Sequence, residues 1–241
     1  MKLCIAQTKP FSGDIPANVR SHLEFAQTAV SLGAELIVFP ELSLTGYEPD
    51  LAGELAIDVD DQRLAQFQAL ADSGNIAIAL GAPMKTDTKP HIGLVVFSPY
   101  RVGEVYCKRY LHSDEEPFFS AGENRDVALG ADRKTAFAVC YEISVPQHAE
   151  DAFAGGAEIY AASVAKFASG IEKACDRMQA IARSYSAVAS MSNCIGWADG
   201  QECAGRSSIW SDGELVAQLD DKREGLIIFD TNAGEAVTKY L

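Results

Sequence analysis

Short, nearly unbroken apolar runs recur along this chain and constrain its fold more than any other feature: "KLCIAQT", "ELIVFPE", "NIAIALGAP", "AEIYAASVA", "AVASMSN" and "EGLIIFD". Runs of this length, bounded by turn residues, read as strands buried on both faces. Between them lie segments with helical spacing. "DIPANVRSHLEFAQTAVSLGA" places Val19, Leu23, Phe25, Ala26, Ala29 and Val30 on one face, with Asp14 as N-cap and Gly33 as stop. "DQRLAQFQALADSG" predicts a second helix ending at Gly74, and "GIEKACDRMQAIARSYSA" a further one. "RKTAFAVCYE" predicts a strand, followed by a helix from about Pro146, where proline suits a first turn.

Two segments break the alternation. "IGLVVFSPYRVGEVYCKRYL" and "SSIWSDGELVAQL" each read as a hairpin, the second turning at Asp212-Gly213. Hairpins pair strands antiparallel, so a purely parallel barrel is excluded and the sheets must be mixed. The fold class is therefore α/β with mixed sheets. Many apolar strands and few helices predict two sheets packed on each other, with helices outside.

The chain has 241 residues, 48% hydrophobic and 22% charged, without a linker-like or low-complexity tract. One domain over 1–241 is expected. The net charge of −14 disfavours nucleic acid and anionic membrane surfaces as partners. "MKLCIAQTKP" does not read as a signal peptide, and no apolar window is long enough to span a bilayer, so a cytoplasmic location is expected. None of the six cysteines forms a C-x-x-C pair, and the expected setting is a reducing one, so neither disulfides nor structural zinc is expected.

Polar residues stand at the ends of three strand patterns. Glu41 follows "LIVFP", Lys108 follows "EVYC", and Cys140 follows "AFAV". Each alone has a plain structural reading: a turn carboxylate, an edge lysine, a core cysteine. Together they gather where α/β folds build their sites. A thiol attacks only as thiolate, so something must take its proton. His22, His91, His112 and His148 show no recognisable Cys-His context. A carboxylate at a buried strand end can serve instead, because desolvation raises its pKa toward the working range. Glu41 fits that role. Lys108 fits as the cation that stabilises the thiolate and then an oxyanion.

With "LIVFPELSLTGYEP", "YCKRYLHSDEEPFFSAG", "AFAVCYEISVP", "GAEIYAASVAKF" and "NCIGWADGQECAGRSSIWSDGELVAQ" in this order, the chain resembles the carbon-nitrogen hydrolases, the nitrilase superfamily. The resemblance implies a four-layer α-β-β-α sandwich, a Glu41-Lys108-Cys140 triad, no metal and no cofactor, and pairing into homodimers or larger assemblies. It also implies a second glutamate between lysine and cysteine. Both Glu115 and Glu116 are available; Glu115, four residues before Phe119 with Gly122 three further on, has the expected spacing.

The chain departs from parts of the family. Many amidase branches carry an arginine and an aromatic after Cys-Tyr-Asp, whereas here Cys140-Tyr141-Glu142-Ile143-Ser144 lacks that arginine. True nitrilases usually carry tryptophan after the cysteine, where this chain has Tyr141. The expected activity is hydrolysis of a small linear amide through a thioester, the Tyr141 backbone N–H helping Lys108 hold the oxyanion. Nitrile hydrolysis, acyl transfer and a non-catalytic binding role are the alternatives. Tyr47, Tyr141, Glu142, Ser163 and Val164 are candidates to line the substrate pocket, with simple packing or turn chemistry as their plainer reading.

Overall fold

The first helix begins where a side chain can cap it. Asp14 accepts the Ala17 N–H at 2.9 Å, satisfying one of the orphan donors of a helix start. Helix α1 then runs Ile15–Ser31, and Gly33, at φ +77°, turns the chain back toward the sheet. The computed structural model describes residues 1–123 and 135–241. Around α1 the first half of the chain supplies β1 (Lys2–Gln7), β2 (Leu36–Val38), the short α2 (Ala52–Leu55), α3 (Ala65–Gly74), β3 (Ala77–Met84), β4 (His91–Phe97) and β5 (Glu104–Cys107). The second half supplies β6 (Thr135–Val139), α4 (Pro146–Ala154), β7 (Ile159–Ser163), α5 (Ile171–Tyr185) and β8 (Val188–Ser192). It continues with β9 (Ile195–Ala198), β10 (Gln201–Ala204), β11 (Ser208–Ser211), β12 (Glu214–Gln218), β13 (Gly225–Asp230) and β14 (Glu235–Tyr240).

Two mixed sheets result, in the orders β14-β13-β1-β2-β3-β4-β5 and β12-β11-β8-β7-β6. In the first, β1, β2 and β3 are parallel, flanked by antiparallel neighbours. In the second, β6, β7 and β8 are parallel and β11 and β12 antiparallel. The strand period of two sorts the apolar side chains between layers. Leu3, Leu36, Val38, Ala79 and Leu94 join Phe137 and Ala161 in the core between the sheets. Cys4, Ile37, Phe39, Ile78 and Val95 join Phe25 and Ala26 of α1 and Phe67 of α3. Helices α4 and α5 bring Ala149, Ala152, Met178 and Ala182 to the second sheet. The layers are helix, sheet, sheet, helix, as the sequence led us to expect.

Two hydroxyls lock the sheets face to face. Ser192 Oγ donates to the Val38 carbonyl and Ser163 Oγ to the Phe39 carbonyl, both at 2.8 Å and fully buried. Both bonds fall at the C-terminal end of β2, which fixes where that strand releases the chain.

Three differences from the sequence reading have local causes. "ELIVFPE" is a strand only over Leu36–Val38, because proline at residue 40 has no N–H for a ladder. "RKTAFAVCYE" is a strand from Thr135 to Val139; Arg133 and Lys134 lie outside the described residues, and Cys140–Ser144 form a 3₁₀ turn. Strands β9, β10 and β14 were not anticipated, since they lack an unbroken apolar run. The signal for the β9-β10 hairpin was Asp199-Gly200, both at positive φ as a tight turn requires. Among the described residues no helix is long and apolar enough to cross a membrane.

His22 on α1 stacks on Phe39, with ring centroids 4.3 Å apart. Burial pushes its pKa from 6.5 down to about 3. Between those values the unfolded chain binds a proton that the folded chain excludes. Stability from this site is thus complete above pH 6.5 and drains as the pH falls toward 3. From pH 8 to pH 5 its loss should be about 2 kcal/mol. Urea titrations at both pH values check this: His22→Leu should lose less stability on acidification than wild type, by about that amount.

Candidate active site

The chain leaves β2 through Phe39 and Pro40 and presents Glu41, 2% exposed, at the end of the sheet. Leu42 follows at φ +51°. This turn lies directly on β3: a Cβ on Gly81 would come 2.3 Å from the Pro40 carbonyl oxygen and 2.4 Å from the Leu42 nitrogen. Only glycine permits that approach. The Leu44 N–H donates to the Gly81 carbonyl at 2.9 Å and completes the support.

Lys108 follows β5 and is fully buried. Its ammonium donates to Glu41 Oε1 at 2.8 Å and to Glu115 Oε1 at 2.6 Å. Burial alone would lower the lysine pKa, yet it is held well above its ordinary range by the Glu41 charge, with Cys140 and Glu115 adding to it. Glu115 is buried, accepts the Tyr47 hydroxyl on Oε1 at 3.2 Å, and accepts the His112 N–H on Oε2 at 2.8 Å. Glu116, the other carboxylate in that loop, is exposed. Burial raises the Glu41 pKa; Lys108 opposes it and Glu115 reinforces it.

Cys140 follows β6 at φ +44°, a left-handed conformation unusual for a residue with a side chain. Burial and the Glu41 charge push its thiol up; Lys166 and Lys108 pull it down, in that order. The strained turn is held by Glu142. Its Oε2 accepts the Val139 N–H and the Tyr106 hydroxyl, both at 2.7 Å, and its Oε1 accepts the Arg109 N–H at 2.6 Å. One carboxylate thereby grips the residue before Cys140 and the residue after Lys108. His148 and Tyr160 extend the buried network, His148 Nε2 lying 2.8 Å from the Tyr106 hydroxyl and Nδ1 2.7 Å from the Tyr160 hydroxyl.

Ala165 joins the parts. Its N–H donates to Glu41 Oε2 at 3.2 Å, and its carbonyl faces Cys140 Sγ at 3.9 Å. A carboxylate and a thiol that reach the two ends of one residue are neighbours. Glu41, Lys108, Glu115, Tyr47 and Cys140 therefore form one buried group.

Three expected pocket residues are occupied elsewhere. Glu142 has its carboxylate saturated by the turn and is fully buried. Ser163 spends its hydroxyl on the Phe39 carbonyl. Val164 is fully buried in the core and donates its N–H to the Ser192 carbonyl. Tyr141 is half-buried, its ring edge-on to His112 with centroids 5.2 Å apart. Lys166, which the sequence reading passed over, stands beside Cys140. It carried the same signal as Lys108, a lone charge just after a buried strand, in "YAASVAK".

Comparison with known proteins agrees with this architecture. The "Hydrolase in pqqF 5'region" of Pseudomonas protegens is 28% identical over 236 residues, 95% of this chain and 81% of its own length. A glutamine-dependent NAD(+) synthetase of Thermotoga maritima is 27% identical over 152 residues, and the matched part is only 26% of that protein. The amidase of Nesterenkonia sp. AN1, solved in complex with butyramide, superposes with a TM-score of 0.85 at 21% identity, covering 97% of this chain and 92% of its own. The model of the carbon-nitrogen hydrolase family matches residues 2–238, and the chain belongs to that family.

Proposed function

We propose that this protein hydrolyses the C–N bond of a small linear amide, with Cys140 as nucleophile. The observation that carries this reading is the Lys108 ammonium held between two buried carboxylates beside a thiol on a strained strand-end turn. A folded core has no need of such a cluster, and leaving any member unpaired would be costly. The similar amidase of Nesterenkonia sp. AN1 supports the reading, since one of its structures carries the acetamide moiety of fluoroacetamide on its active-site cysteine.

In the proposed reaction the Glu41 carboxylate takes the Cys140 proton as the sulfur adds to the amide carbonyl. Lys108 and the Tyr141 backbone N–H hold the oxyanion. Glu41 delivers the proton to the leaving nitrogen, the C–N bond breaks, and ammonia or an amine departs. Glu41 then takes a proton from water as its oxygen attacks the thioester. The C–S bond then breaks, Glu41 returns that proton to sulfur, and the acid product leaves. Glu115, tied to Lys108 and Tyr47, keeps the ammonium aimed. The burial that raises the Glu41 pKa suits it to both proton transfers. The reading carries with it a cytoplasmic homo-oligomer, whose size light scattering would report.

Ammonia release from a panel of primary amides, ω-amides of dicarboxylic acids, N-carbamoyl amines and nitriles tests the activity. Hydroxylamine should intercept the thioester as a hydroxamate. Cys140→Ala should bring turnover to background with the melting temperature nearly unchanged; wild-type turnover by that variant would defeat the mechanism. Glu142→Ala should leave the Val139 and Arg109 N–H groups and the Tyr106 hydroxyl without their acceptor. Its expected cost is about 3 kcal/mol of stability, with kcat falling more than KM changes.

A further inference from the structure

The cations around Cys140 are more numerous than the triad requires. Glu41, Glu115 and Lys108 together carry one net negative charge, because a single ammonium answers two carboxylates. Once Glu41 has taken the thiol proton, Lys108 is balanced by Glu115, and the thiolate is left without a cation of its own. Two of the three Lys108 N–H donors are already taken by carboxylates. Lys166 brings the missing positive charge.

Lys166 is also held with unusual care. Its N–H donates to Asn193 Oδ1 at 2.8 Å, and its carbonyl accepts Asn193 Nδ2 at 3.1 Å and the Ala204 N–H at 2.8 Å. Asn193 is fully buried and is itself anchored to the Gly205 carbonyl at 2.7 Å. The preceding residue, Ala165, touches both Glu41 and Cys140. The Lys166 side chain is half-buried and makes no ion pair with a carboxylate among the described residues. A lysine clamped at its backbone, directed to the nucleophile and left without a carboxylate is placed to serve charge that forms during the reaction.

We infer that Lys166 is a second catalytic cation, whose ammonium pairs with the Cys140 thiolate and leaves Lys108 to the oxyanion. The proton leaves sulfur for Glu41 as before, and Lys166 gains no proton and forms no bond; it stabilises the anion left behind. The Cys140 charge is the leading influence holding Lys166 above its ordinary lysine range, and a hydrogen bond to that thiol adds to it. Reciprocally, Lys166 stands ahead of Lys108 among the groups that lower the thiol.

The inference rests on Cys140 being the nucleophile, and alkylation separates the two without any substrate. Cys140 alkylation is followed by peptide mass spectrometry from pH 5 to pH 11, as carbamidomethylation by neutral iodoacetamide and as carboxymethylation by anionic iodoacetate. If wild-type Cys140 reacts no faster than the other cysteines, the nucleophile assignment itself fails. If it reacts faster, Lys166→Met should move the alkylation profile up by about one pH unit and slow iodoacetamide about tenfold at pH 7, with rates converging at high pH. Lys166→Arg should restore most of the wild-type profile. A loss confined to iodoacetate would show that Lys166 only attracts anions, and an unchanged iodoacetamide profile overturns the inference. A slowing of equal size at every pH also overturns it, since that is the signature of a displaced loop.

Discussion

A fully buried ammonium is the constraint on which the rest of the structure turns. Lys108 has no water to solvate it, so it must find its counter-charges within the protein. It finds them in Glu41, from a strand three positions away in the sheet order, and in Glu115, from the loop that follows it. Removing one partner from such a group costs about 3–5 kcal/mol, because it leaves a charge buried and unanswered. Each of the three segments is therefore held in place by the other two. The packing of β3 against the Glu41 turn and the two serine bonds between sheets supply the rigidity that this arrangement demands.

Cys140, the proposed nucleophile, is attached to that group by a different device. Cys140 belongs to the second sheet, whereas Glu41 and Lys108 belong to the first. Glu142 spans the gap through backbone amides on both sides, and Ala165 spans it again from β7. The strained φ of Cys140 persists because Glu142 holds the peptide before it and because the sheets cannot slide. The positioning of the proposed site belongs to the interface between two sheets. That explains why buried polar side chains concentrate at their common end, with Ser163, Ser192 and Asn193 each bonded to a backbone group of another segment.

Charge completes the design. Two carboxylates raise the cost of ionising the thiol, and the cations must offset it. Lys108 is shared between both acids, which keeps it oriented but limits what it can offer the sulfur. Lys166, half-buried and with its backbone held by Asn193, is the further cation that acts on the thiol. No histidine ring takes part in the group; His112 contributes only its backbone N–H to Glu115. His148 is kept neutral by burial, its pKa lowered to about 4, and serves the tyrosines beneath the turn.

The sequence by itself determined the layers and the family. Apolar runs, helix caps and hairpin turns are local signals, written in spacings of two and of about 3.6 residues that any short window contains. They placed Glu41, Lys108 and Cys140 at strand ends, and the motif spacing selected Glu115 over Glu116. Tertiary structure alone decided what those ends hold. Glu142 looked like a pocket residue because it follows Cys140, yet its partners lie 3 to 36 positions away. Ser163 looked available until its acceptor, 124 positions earlier, was in place. Lys166 was silent because its meaning depends on a thiol from another strand. Hydrogen bonds and ion pairs between distant segments leave no periodicity in the chain, so only the packed sheets reveal them.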